Sequence, residues 1–207
     1  MKDNNNNSKQ VLLSVLGVAI LVVAVVGVSF AAFTYSKTGE KVNTITTGTI
    51  TMSYTEDTNG INLTNALPMT DAVGKALNEE NQYFDFTVSA TISGTTTINY
   101  AITATKEMPG STIPDAGVKV YLTDMDASDK AVSGYETPKK VSELTTTTDS
   151  EASGAPEGQY ILHTGTYKAT TTNHYRLRMW VADDYAAPAT TQTYKLRVNV
   201  YGQAAAQ

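Results

Sequence analysis

Residues 82–105, QYFDFTVSATISGTTTINYAITAT, decide the fold. Phe84, Phe86, Val88, Ala90 and Ile92 recur at every second position, and after Gly94 the pattern resumes at Ile98, Tyr100, Ile102 and Ala104. Side chains on a strand alternate between faces, so this spacing predicts two half-buried β-strands; a helix would need apolar residues three and four apart. Ser93-Gly94-Thr95 stands between the two runs, which predicts that they pair as a hairpin.

The same period recurs in both directions along the chain. Ile45 to Tyr54 sets Ile50, Met52 and Tyr54 against Thr49, Thr51 and Ser53, and Val118, Val120 and Leu122 mark another strand. In His174 to Asp183, Tyr175, Leu177, Met179 and Val181 share one face; Arg176, Arg178 and Trp180 share the other. Thr193 to Tyr201 repeats the arrangement with Tyr194, Leu196, Val198 and Val200, so these two runs are expected to be antiparallel neighbours. Thr70 to Leu77 reads as a short helix capped by Thr70 or Asp71, weakened by Gly74. Between Ala127 and Gly158 apolar residues thin out and Ser, Thr, Gly and Pro accumulate, the composition of a long mobile surface excursion. About eight half-buried strands must cover their apolar faces against a second layer. The expected architecture is therefore all-β, an antiparallel β-sandwich of jelly-roll-like or immunoglobulin-like type over residues 45–202, with a short tail at 203–207.

A different signal precedes this domain. Val11 to Phe33, VLLSVLGVAILVVAVVGVSFAAF, carries no charge and comes after Lys2 and Lys9. As a helix it would extend about 34 Å, enough to cross the hydrocarbon layer, and its basic flank orients the C-terminal remainder of the chain outward. Two readings remain open. Ser29-Phe30-Ala31 has the small-x-small form of a signal-peptide cleavage site, which would cut between Ala31 and Ala32. The run is also longer than an ordinary signal core, which suits an uncleaved membrane anchor. Either way residues 1–31 are a leader or anchor, and the domain works outside the membrane. Residues 32–44, with Phe33 and Tyr35 alternating against polar neighbours, read as an extended arm.

The 207 residues carry a net charge of −5 and no basic cluster, which argues against nucleic acid as a partner. With no cysteine there is no disulfide, thiolate nucleophile or thiolate metal site. His163 and His174 lack zinc-ligand spacing and are expected on solvated strand faces. Asp124 to Asp129 begins like a calcium loop, but Asp129 stands where such a loop needs glycine and Tyr135 where it needs a bidentate glutamate. Neither a GxSxG elbow nor a phosphate-cradling glycine loop occurs. No catalytic, cofactor or metal residues are assigned, and the chain is not expected to be an enzyme. Arg176, Arg178 and Trp180 offer a contact face for a ligand, or else an outward ladder beside Lys195 and Arg197.

Phe30-Ala31-Ala32-Phe33 at the junction, then a short polar arm, then Thr46-Thr47-Gly48-Thr49-Ile50 entering a strand, resemble the TasA and camelysin family of exported Gram-positive proteins with SipW-type signal peptides. The match covers about 25 residues. It implies a jelly-roll subunit of biofilm matrix fibres, in which the freed arm of one copy enters the sheet of the next, making the chain its own partner. Camelysin relatives carry a metallopeptidase label, but no zinc motif is present here to receive it. The alternative is a cell-surface binding or adhesion module held by the uncleaved helix and touching surface or matrix components.

Overall fold

The computed structural model describes residues 34–38, 43–47, 50–57, 61, 66–93, 96–186 and 191–205, within a compact unit spanning Thr34–Gln207. The apolar run, the cleavage pair Ala31 and Ala32, and Phe33 lie outside the described residues. Among those described, no helix is long and apolar enough to cross a membrane.

The elements, in chain order, are β1 (Thr34–Thr38), β2 (Asn43–Thr47), β3 (Ile50–Glu56), α1 (Asp71–Lys75), β4 (Tyr83–Ile92), β5 (Ile98–Lys106), β6 (Val118–Asp124), β7 (Lys130–Ala131), β8 (Lys139–Lys140), β9 (Tyr160–Tyr167), β10 (Thr171–Val181) and β11 (Leu196–Ala204). The fold is all-β and antiparallel. One sheet has the order β1-β11-β5-β9 and the other β2-β3-β4-β10-β6-β7, with β8 also on β6. α1 forms within the stretch 70–77 read as a short helix, with Thr70 at its N-cap position but making no side-chain cap bond.

The two sheets pack face to face, as alternating strands require. Met52, Tyr54, Phe86, Val88, Val120 and Leu122 of the larger sheet are buried with Ile98, Ile102, Ala104, Val198 and Val200 of the smaller. At Gly202 the layers approach so closely that a Cβ would lie 2.1 Å from the Met52 sulfur, so no larger residue fits without displacing Met52. Near β9, Tyr100 stacks on Tyr167 with ring centres 4.2 Å apart, and its hydroxyl is 3.2 Å from that of Tyr175 across the layers.

Two pairing expectations fail for one reason. β4 and β5 are not a hairpin, because β4 lies between β3 and β10 while β5 lies between β11 and β9 in the opposite sheet. β10 and β11 are likewise in different sheets. Each connection crosses between layers, and period-two patterning records only that a strand has one buried face.

The stretch 127–158 is a folded cover rather than a loose excursion. Val132, Tyr135, Val141, Leu144, Thr147, Ser153 and Ala155 are buried along it. Ala155 packs on Ala101 and Tyr201, the outward side of the smaller sheet. Gln159, at the end of this cover, takes a hydrogen bond from Asn199 Nδ2 at 3.2 Å and gives one to the Tyr201 hydroxyl at 2.9 Å. A few well-placed apolar residues suffice to anchor a polar segment.

Candidate assembly surface

β1 lies at an edge of the smaller sheet, antiparallel to β11, with Thr34 opposite Gln203 and Thr38 opposite Asn199. Tyr35, read as part of a donor arm, is opposite Gly202 of its own chain. The residues next to the apolar run thus complete the protein's own sheet, and among the described residues β1 has a strand neighbour on one side only.

At the other edge is β9, YILHTGTY, paired with β5. Its first residues are partly covered, since Ile161 N donates to Thr145 O at 2.8 Å and Thr147 N to Gln159 O at 2.8 Å. From Leu162 to Tyr167 no second strand lies alongside among the described residues. A groove of about 270 Å³ borders this stretch, lined by Asn99, Glu151, Ser153, Thr164, Gly165 and Thr166. Ser153 is 4% exposed and its hydroxyl has no hydrogen-bond partner among the described residues.

Arg176, Arg178 and Trp180 share a face, but that face is buried, correcting the expectation of an outward contact surface. Arg178 and Trp180 are each only 2% exposed. α1 and the chain leading into β4 cover them. Arg176 forks onto Asp85 at 2.7 and 2.8 Å, its opposite residue on β4, and donates to Asn78 Oδ1 at 2.6 Å. Its guanidinium carbon is 3.6 Å from the centre of the Tyr83 ring. Arg178 forks onto Asp129 at 3.0 and 2.6 Å and donates to Leu77 O at 2.6 Å. The neighbours of these guanidiniums are carboxylates of β4 and the β6–β7 turn rather than Lys195 and Arg197. Burial works against the ionised Asp129, but the bonds from Arg178 and Thr123 outweigh it and hold the carboxyl below its ordinary value.

The Asp124–Asp129 turn spends its carboxylates on protein donors. Asp124 Oδ1 accepts from Asp126 N at 2.9 Å and Ala127 N at 3.2 Å, while Asp126 accepts from His174 N at 2.9 Å and faces His174 Nδ1 at 2.8 Å. Ser128 and Asp129 adopt left-handed φ of 62° and 59° to turn the chain. Among the described residues no three His, Asp or Glu side chains gather into a group able to hold a metal. His174 is half exposed, as expected. His163 is not on a solvated face: it points between the layers, 5.8 Å from the Tyr100 ring and 6.1 Å from the Tyr175 ring. Burial there pushes its pKa down, against the pull of nearby Asp124.

A carboxylate knot that sequence spacing does not disclose lies at Asp115. It accepts from Lys106 Nζ at 2.7 Å, the Tyr160 hydroxyl at 2.6 Å and the Tyr194 hydroxyl at 2.9 Å, tying four separated segments together. Burial opposes ionisation of Asp115; the three donors together prevail and lower its pKa. Burial and this carboxylate push Tyr160 up to about 12.

These features define the class: an antiparallel two-sheet protein with β1 and β9 at the edges of its smaller sheet. Comparison with known protein families, curated proteins and solved structures finds no match.

Proposed function

We propose that this chain is an exported structural protein, a subunit of extracellular fibres that assemble when the arm beginning near Ala32 leaves its own sheet and enters the sheet of the next copy. The observation that carries this reading is the position of β1: a five-residue strand on the β11 edge, contacted among the described residues by a strand on one side, and directly after the apolar run in sequence. An exchanged β1 makes the same contacts between chains that it makes within one, so exchange changes little besides connectivity. Each main-chain hydrogen bond it forms contributes about 0.5–1.5 kcal/mol net. Attached to a membrane helix, the arm is tethered; cutting between Ala31 and Ala32 would free Phe33 and Tyr35 to move with it.

Strand order supports the jelly-roll form of the sandwich. The orders β1-β11-β5-β9 and β4-β10-β6-β7 are those of two interlocked Greek keys, to which β2 and β3 add a hairpin beside β4. The partner is then another copy of the chain, in the matrix outside the cell, and the chemistry is contact rather than catalysis.

The test compares chains beginning at Ala32 and at Lys41, which keep and lose β1. Arm exchange expects fibres from the first and monomers from the second. Equal polymerisation, or two monomers, overturns it.

A further inference from the structure

We propose that the open edge of β9 accepts the outer edge of β1 from a second copy, so that the four-stranded sheet continues from one copy to the next. The inference rests on reading the chain as a self-assembling subunit but goes beyond arm exchange, because β1 remains on a β11 while its other side is used.

Direction comes first. Each pair in β1-β11-β5-β9 is antiparallel, so four strands alternate and β1 and β9 run opposite ways. A copy displaced along the sheet without being turned over therefore presents β1 antiparallel to β9. Such a head-to-tail contact uses two different edges and does not close, which builds filaments rather than dimers.

Protection of edges points the same way. The far edge of the larger sheet ends in β7 and β8, two residues each, bearing Lys130, Lys139 and Lys140. Short lysine-rich strands are how proteins refuse an incoming strand. β9 has eight residues and no Lys, Arg, Asp, Glu or Pro. Its bulge, between the pairs Ile102–His163 and Thr103–Ile161, disturbs only the end that residues 145–147 already cover. Beside the uncovered end, the groove holds Ser153 with a buried hydroxyl lacking a partner, a place for a polar group arriving with the new strand.

Charge selects β1 as occupant. Glu151 lines the groove, and β1, TYSKT, has Lys37 as its one charged residue. A two-fold pairing of β9 with β9 would instead bring two Glu151 carboxylates to one seam.

The absence of cysteine allows a direct test with the chain beginning at Ala32, in which the arm is free to exchange. Thr164→Cys is mixed with Ser36→Cys, and separately with Lys37→Cys, since successive strand residues face opposite ways. Under oxidation the expected product is a disulfide between the two different chains, at least about fivefold above that given by the exposed control Glu157→Cys. Thr164→Cys homodimers alone, or no excess over the control, overturn the proposal. To separate it from arm exchange, Thr34→Cys/Gln203→Cys locks β1 to its own β11. The locked chain should still associate, about tenfold more weakly once Thr164→Lys blunts the edge, while Thr164→Val has little effect. If the locked chain is monomeric where the unlocked chain assembles, exchange alone drives assembly and the β9 contact is wrong. If it associates as well as the unlocked chain, through β9, arm exchange is the reading that fails.

Discussion

Gly74 lies directly beneath the ring of Trp180: a Cβ on residue 74 would fall 2.2 Å from Trp180 Cε2. By helix propensity alone Gly74→Ala should stabilise α1 by about 1 kcal/mol. The contact reverses that sign, because the ring is 2% exposed and has no room to retreat. Gly74→Ala is expected to destabilise the domain by about 1–3 kcal/mol, the usual cost of overpacking. Trp180 is the sole tryptophan, so its fluorescence reports the shift during urea unfolding. A more stable variant would refute this packing.

Arg178 and Asp129 form the second test. The guanidinium is 2% exposed, whereas the Asp129 side chain is 36% exposed. Asp129→Ala leaves a buried cation short of its counter-charge and should cost about 3 kcal/mol, the lower end for breaking a buried pair. Arg178→Met with Asp129→Ala should cost less than the two single changes summed, since no charge is then stranded. Additive losses in a double-mutant cycle would show that the pair is not coupled.

Strand identity is legible over most of the sequence, although Ile45 to Tyr54, read as one strand, is the antiparallel pair β2 and β3 with Thr47 opposite Ile50; strand partnership is not legible. Phe84 to Ile92 and Ile98 to Ala104 disclose strands because burial of one face imposes period two at every position. Which sheet each strand joins depends on whether a short connection turns back or crosses layers, and neither Ser93-Gly94-Thr95 nor 184–191 encodes that choice in its composition. The Arg176, Arg178 and Trp180 face fails for a related reason. Arginine in a strand ordinarily signals solvent, yet its cover comes from residues 70–85 about a hundred positions earlier, with Asp85 and Asp129 as counter-charges. The open edge of β9 has no residue signature at all, because an edge is a property of strand order.

His163 predicts a pH dependence. Burial against Tyr100 and Tyr175 holds its folded pKa below the ordinary 6.5, with Asp124 opposing the shift. As pH falls through 6.5 the unfolded chain takes up the proton before the folded chain does, so stability present above that pH is progressively lost below it. The melting temperature should fall between pH 7 and pH 5, and fall less in His163→Gln. Asp115 and Asp129, whose pKa values are lowered, lose their contributions only below 3.8, outside this window. Identical pH profiles for the two proteins would place His163 in solvent after all.

Gln159 tests whether the 127–158 cover is part of the fold. It is 8% exposed and engages Thr103, Asn199 and Tyr201 through its side chain while its N–H reaches Thr147 Oγ1 at 2.9 Å. Gln159→Leu keeps the volume but leaves three buried polar groups to find other partners, each costing about 1–3 kcal/mol when it finds none. Partial rearrangement should bring the loss to about 2–3 kcal/mol, against almost none for the exposed Glu157→Gln. A loss in Gln159→Leu no larger than that in Glu157→Gln would mean that this stretch swings free of the sheet.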